Sequence, residues 1–82
     1  MFTGPAMRTL PLTQLPPGAT GRVVSILARG RGQIRRLLEI GIVPGAIVRV
    51  IFNSVGPIVI EVNGARFSLG RGLASRIIVE VM

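Results

Sequence analysis

The sequence predicts an all-β fold, a small β-barrel of five to six short, mostly antiparallel strands with one short α-helix. Eleven glycines and six prolines among 82 residues break the chain at short intervals, as turns between short strands do. The segments between them are rich in β-branched residues and alternate apolar with polar positions, while one segment has a helical period. At this length the chain has room for a single core.

The first half of the chain is expected to hold one strand and the helix. Thr20 to Ala28 is β-branched and apolar, and Pro16–Gly18 forms the turn before it. From Gln33 onward the apolar side chains share one helical arc, which is expected to lie on the end of the sheet: Ile34, Leu37, Leu38 and Ile40. The opposite arc carries charged side chains.

Three further places predict sharp reversals of the chain. Gly41 is expected to end the helix in the left-handed conformation, and Pro44 with Gly45 is expected to form a type II turn into the next strand. Asn63 and Gly64, between two alternating segments, predict a two-residue hairpin turn. These five residues are therefore interpreted as structural.

The strands around these turns can be aligned by loop length. The two-residue turn sets Val62 opposite Ala65, and a five-residue loop over 53–57 sets Phe52 opposite Ile58. Both hairpins then agree on the inward side chains, which are Val48, Val50, Phe52, Ile58, Ile60, Val62, Phe67 and Leu69. The other face carries a charged row of Arg49, Glu61 and Arg66. In the last strand, Ile77, Val79 and Val81 are predicted to face inward and Glu80 outward.

The charge balance indicates an anionic partner. Ten arginines, no lysine and three glutamates give a net charge of +7, which favours nucleic acid, an acidic protein surface or lipid headgroups, unless the arginines are only a solvated coat. The chain has no cysteine and no histidine, and its three acids are far apart in sequence. We therefore expect no catalytic residue, no cofactor and no metal site, and the chain is not expected to be an enzyme.

The ends and the apolar runs bear on location. No apolar run is long enough to cross a bilayer, and residues 1–6 do not resemble a signal peptide, so a cytoplasmic location is expected. These six residues show no periodicity and are predicted to be a frayed leader before one domain over 7–82.

The charged arc of the helix is the first candidate docking surface. Arg35, Arg36 and Glu39 share its exposed face, and Arg31 precedes them by one turn. The alternative is that Arg35 and Glu39 form only an exposed i, i+4 ion pair. Arg22, Arg29, Arg31, Arg35 and Arg36 lie within fifteen residues and are expected to form a positive patch.

A second candidate surface is apolar. Outward positions of the strands include Ile47, Ile51, Val59 and Ile78, which predict an exposed apolar stripe. Such a stripe is typical of a docking face or of a self-association face. The alternative is that the N-terminal segment covers part of it.

Over residues 7–82 the order of these signals resembles the FeoA family. The similar segments are Leu12-x-x-Leu15-x-x-Gly18, Gly21-x-Val23-x-x-Ile26 and Arg36-Leu37-x-Glu39-x-Gly41-Ile42-x-Pro44-Gly45. The last of these is the most distinctive. The Asn63–Gly64 turn and the segment Ala74-x-x-Ile77 are also similar to the family's final strands.

The resemblance implies an SH3-like barrel and a non-catalytic accessory role in ferrous iron uptake, by docking on the cytosolic part of a FeoB-type transporter. A similar domain forms the C-terminus of metal-dependent repressors, so a stand-alone relative of that interaction domain is one alternative. A small basic barrel that binds nucleic acid is another. Against nucleic acid stands the shortage of aromatic rings, since Phe52 and Phe67 are predicted to face inward and only Phe2 is left.

Overall fold

The computed structural model describes residues 8–82. Its six strands are β1 Thr9–Pro11, β2 Thr20–Ile26, β3 Ile47–Phe52, β4 Ile58–Val62, β5 Ala65–Leu69 and β6 Ile77–Val81. The helices are α1 Gly30–Ile40 and α2 Arg71–Ala74, with a short 3-10 helix at Leu12–Gln14. The predicted leader, residues 1–6, lies outside the described residues.

One antiparallel sheet contains all six strands in the order β1-β6-β2-β3-β4-β5. β1 and β5 are its edges, and no ladder joins them within residues 8–82, so the sheet forms an open barrel. Just before β1, the carbonyl oxygen of Arg8 accepts a hydrogen bond from the N–H of Val81 (2.9 Å). The core is wholly aliphatic and consists of Leu12, Leu15, Val23, Leu37, Ile40, Ile42, Val48, Val50, Ile58, Ile60, Val62, Leu69, Ala74, Ile77 and Val79.

The β4–β5 hairpin has the predicted register. Val62 lies opposite Ala65, and both turn residues have positive φ, 54° at Asn63 and 81° at Gly64. This pair of angles is that of a type I′ turn, whose twist matches the flanking strands. The inward positions of β4 are fully buried, as predicted.

The β3–β4 hairpin departs from the prediction at one end. Val50 lies opposite Ile60 as expected, but Phe52 lies opposite Val59 instead of Ile58. The register shifts because Ile51 is an extra residue in β3, and such a bulge reverses the alternation of side chains that follow it. Phe52 therefore faces outward and is 54% exposed, so the prediction that it faces the core is wrong.

Helix α1 begins three residues before the predicted start. The side chain of Gln33 reaches back and accepts a hydrogen bond from the N–H of Arg29 (3.0 Å), which stabilises the first turn. At the other end Gly41 has φ 98°, and its N–H and that of Ile42 both donate to the carbonyl of Leu37 (3.0 and 2.8 Å). The helix ends as predicted, because glycine tolerates this left-handed conformation.

The apolar arc of α1 is only half buried. Leu37 and Ile40 belong to the core, but Ile34 is 46% and Leu38 is 58% exposed. At 100° per residue these two pairs lie on different sides of the helix, and the sheet covers one side. The prediction that all four pack on the sheet is therefore wrong for Ile34 and Leu38.

Side chains link the segment after β1 to the segments after β3 and β5. The Asn53 amide nitrogen donates to the carbonyl oxygens of Thr13 (3.0 Å) and Leu15 (2.7 Å). The Arg71 guanidinium donates to the carbonyl oxygens of Ser54 (2.7 Å) and Gly56 (3.1 Å). These bonds hold the 3-10 helix against the β3–β4 loop without any strand pairing.

Candidate docking surface

Helix α1 presents the four predicted charged residues to solvent. Arg31, Arg35 and Glu39 follow one another at intervals of one turn along one side of the helix, and all three are exposed. Arg36 is also exposed, but it lies about 100° around the helix from Arg35. The structure therefore brings three of the four together in one line and sets the fourth apart.

These charges are not neutralised within the described chain. Across residues 8–82 a single ion pair forms, between Arg22 and Glu80. Arg35 and Glu39 do not approach within 4.0 Å of each other, so the simple i, i+4 pair is not formed. No acidic side chain within residues 8–82 therefore offsets the charge of the α1 arginines by an ion pair.

Among the five arginines of the predicted positive patch, Arg22 alone forms an ion pair within residues 8–82. Its Nε donates to Glu80 Oε1 (3.2 Å), and one Nη donates to the same oxygen. Glu80 was predicted to point outward, and only 7% of it is exposed, with Arg22 as its partner on the neighbouring strand. Glu80 thus lies on the outward face, opposite Val79, but it is nearly buried there.

An apolar groove lies beside the line of charges. We call it the helix groove. It has a volume of about 260 Å³, and its lining is formed by Ile26, Ala28, Ile34, Leu37, Leu38, Val43 and Pro44. Leu37 is buried at its base, whereas Leu38 and Val43 are exposed at its margins. Sequence reasoning missed this groove because it assigned Ile34 and Leu38 to the core; the width of the apolar arc was the available signal.

The turn after α1 fixes one wall of the helix groove. The N–H of Ala46 donates to the carbonyl of Val43 (2.9 Å), and Gly45 at φ 97° completes the predicted type II turn around Pro44. The N–H of Gly45 also donates to the carbonyl of Val23 in β2 (2.7 Å). The wall is thereby tied to the sheet.

The four predicted apolar contact residues do not form one stripe. Ile47 is 45% exposed and pairs with Arg22, while Arg49 lies between it and Ile51 on β3. Ile51, Val59 and Ile78 are only half-buried. Ile51 sits in the β3 bulge next to the pair formed by Phe52 and Val59.

Ile78 is two strands away from β3. Its partners are Ser25 of β2 and Pro11 of β1. The N-terminal strand thus lies beside Ile78 in the sheet. A more polar hollow, of about 490 Å³, opens instead between Ile47 and the β4–β5 turn and is lined by Thr20, Ile47, Arg49, Glu61, Asn63 and Gly64.

Residues 8–82 hold neither a cluster of metal ligands nor a membrane-spanning helix. No three His, Cys, Asp or Glu side chains there form a group that could hold a metal ion. Neither helix of that part of the chain has the length and apolarity needed to cross a bilayer.

Solved structures share this architecture. An iron uptake regulatory protein, FeoA, has a TM-score of 0.85 at 39% identity, covering 92% of this chain and 100% of that chain. FeoA of Stenotrophomonas maltophilia, solved with zinc and described as a prokaryotic SH3 domain protein, has a TM-score of 0.70 at 33% identity, covering 83% and 86%. A manganese-dependent transcriptional repressor has a TM-score of 0.84 at 26% identity, covering 95% of this chain and 44% of that chain. The fold defines a small SH3-like domain.

The family follows from two sequence comparisons. Residues 10–81 match the family model described as the FeoA domain. The putative Fe(2+) transport protein A of Methanocaldococcus jannaschii is 40% identical over 58 residues, 71% of this chain and 71% of that protein. The chain belongs to the FeoA family.

Proposed function

We propose that this protein is a non-catalytic accessory of ferrous iron uptake that docks on the cytosolic part of a FeoB-type transporter. Family membership supports the link to Fe(II) transport. The observation that carries the docking proposal is the exposed line of α1, where Arg31 and Arg35 form no ion pair within residues 8–82. A cytoplasmic location is part of the same proposal.

Docking regulates the transporter only if it discriminates between conformations. A protein that binds two states of its partner with equal affinity shifts neither population, whatever its affinity. The free energy available for regulation is therefore the difference between the two docking affinities. In this proposal the arginines of α1 meet acidic groups that only one transporter state presents in the matching arrangement.

Binding to the detergent-solubilised transporter tests the proposal. The native chain should be retained on immobilised transporter, and the double variant Arg31→Glu, Arg35→Glu should lose at least tenfold in affinity, because opposite charges become like charges. Arg66→Glu on β5 is the control, since Arg66 is also exposed but lies on the sheet. Absence of any retention of the native chain would refute the docking proposal.

Two other classes of binding partner are alternatives to the transporter. The likeness to the manganese-dependent repressor supports a protein-contact role of the kind an interaction domain has, with a partner other than a transporter. Nucleic acid is less favoured by the composition, but exposed Phe52 leaves one ring available for stacking. Salt-dependent binding of a single-stranded oligonucleotide, lost in Phe52→Ala, would favour the second alternative.

A further inference from the structure

We propose that the helix groove receives an acidic, amphipathic protein segment, which inserts an apolar side chain between α1 and Pro44 and sets its carboxylates against Arg31 and Arg35. This inference rests on the proposed function in that such a segment would belong to the transporter. It adds the site on this chain and the chemistry of what binds there.

The groove is apolar, concave and incompletely filled. Ile34, Leu38 and Val43 are 46%, 58% and 39% exposed, although Leu37 at the base is 1% exposed. Its volume of about 260 Å³ lies below the roughly 300–1,000 Å³ of pockets that enclose small molecules. A single anchoring side chain from a larger partner suits this size better than a free ligand does.

Charge lies in register with the apolar side chains. Arg31 is three residues before Ile34, and Arg35 is three residues before Leu38. Residues three apart on a helix are neighbours, so an arginine borders each exposed apolar side chain. A second hollow, lined by Arg31, Gly32 and Arg35, continues the surface on that side. The pattern calls for a partner that alternates apolar side chains with carboxylates.

Arg31 and Arg35 should interact favourably with carboxylates. They lie at i, i+4 on the same helix, where like charges repel, and no acidic side chain within residues 8–82 lies within 4.0 Å of either. An incoming carboxylate removes that repulsion and forms charge-assisted hydrogen bonds with the guanidinium groups. The free site is therefore electrostatically poised for an acidic occupant.

A second copy of this chain fits the groove poorly. The chain has three acids against ten arginines, and one of the acids, Glu80, is buried beneath Arg22. Two copies that met through this face would bring their basic helices together. Like charges across an interface cost affinity and select against the wrong partner.

The groove is already shaped before binding. Its helical wall ends in the Gly41 cap, and its other wall is the Pro44 turn, held by the hydrogen bonds of Gly45 and Ala46. A preformed site loses less conformational entropy on binding than a flexible one. The conformational entropy lost on binding is therefore expected to come mainly from the bound segment and not from this chain.

A peptide titration tests the inference separately from the transporter. The probe is a synthetic helical peptide with leucines at i, i+4 and glutamates beside them, and the control peptide carries lysines in place of the glutamates. With the isotopically labelled native chain, the acidic peptide should shift amide resonances within residues 26–44, and binding should weaken as salt is added. Leu38→Ser and the pair Arg31→Ala, Arg35→Ala should each lower the affinity about tenfold or more.

Several outcomes overturn the inference. They are equal binding of both peptides, shifts centred on the sheet, no shift at all, or unaltered affinity in the folded Leu38→Ser variant. Concentration-dependent dimerisation that Leu38→Ser abolishes would mean that a second copy fills the groove. Oligonucleotide binding mapped to α1 would mean that Arg31 and Arg35 contact nucleic acid and not an acidic protein segment. If the transporter is captured but the acidic peptide does not bind, the groove inference fails and the docking proposal stands. If the acidic peptide binds but the transporter is not captured, the docking proposal fails and the groove inference stands.

Discussion

Glu80 lies beneath Arg22, with one carboxylate oxygen accepting hydrogen bonds from two nitrogens of the same guanidinium. The pair is unequal, since the Arg22 side chain is 53% exposed and that of Glu80 is 10% exposed. It joins β2 to β6 on the outer face of the sheet. The two partners should therefore respond differently to removal.

Arg22→Ala should destabilise the protein more than Glu80→Gln does. Without Arg22 a nearly buried carboxylate has no partner, at a cost of about 1–3 kcal/mol. Without the charge of Glu80 the guanidinium turns to water, and the loss should be about 1 kcal/mol or less. Urea unfolding followed by circular dichroism measures both. Equal losses would contradict the asymmetry.

Leu37→Ala and Leu38→Ala should separate the two sides of helix α1. Leu37 is 1% exposed and its truncation leaves a cavity, so a loss of about 2–5 kcal/mol is expected. Leu38 is 58% exposed, and its truncation should change the free energy of unfolding by about 0.5 kcal/mol or less. A large loss in Leu38→Ala would mean that Leu38 belongs to the core after all.

Asn53→Ala should loosen the link between the β3–β4 loop and the 3-10 helix. The carbonyl oxygens of Thr13 and Leu15 lose their amide donor, which should cost about 1–3 kcal/mol. Val55→Ala is a control in the same loop, because Val55 is 94% exposed and makes little packing contact. Amide exchange in residues 12–15 should quicken in Asn53→Ala and stay unchanged in the control.

Gly41→Ala should be more harmful than Gly45→Ala. Both positions have φ near +97°, where a side chain adds about 1–2 kcal/mol of strain. A Cβ at Gly41 would also lie 3.1 Å from the side-chain nitrogen Nδ2 of Asn63, whereas nothing lies within 4 Å of a Cβ at Gly45. Thermal unfolding of the two variants would reveal the difference. The order would reverse if the Pro44 turn were the more strained site.

Arg36→Ala should weaken partner binding less than Arg35→Ala does. Arg35 borders Leu38 and the helix groove, while Arg36 lies about 100° away around α1. Removal of Arg36 should mainly slow association, since it lowers the positive field of the surface. Surface plasmon resonance against the transporter separates the association rate from the dissociation rate. A larger effect on dissociation in Arg36→Ala would place the contact on the other side of the helix.

Local turn chemistry made much of the fold predictable. Asn63–Gly64 and Pro44–Gly45 each permit few backbone conformations, and alternation then assigned Val62, Ile60 and Val50 to the core. The bulge at Ile51 was not predictable in this way. A bulge depends on how the sheet twists, and any β-branched residue can occupy it.

The candidate site was less predictable than the fold. The exposed arginines of α1 follow from helical periodicity, but the burial of an apolar arc depends on how much of the helix the sheet covers. Ile34 and Leu38 look the same as Leu37 and Ile40 in sequence. The contact between Arg22 and Glu80, 58 residues apart, likewise required the strand order.

The hydrogen bond between Arg8 and Val81 places both ends of the described fold at one corner of the sheet. A domain whose two ends lie close together can be joined to other segments of a longer polypeptide without disrupting the pairing of its strands. The same architecture occupies 44% of a manganese-dependent repressor chain. The closeness of the two ends explains physically how one fold can occur both as a small protein and as part of a longer chain.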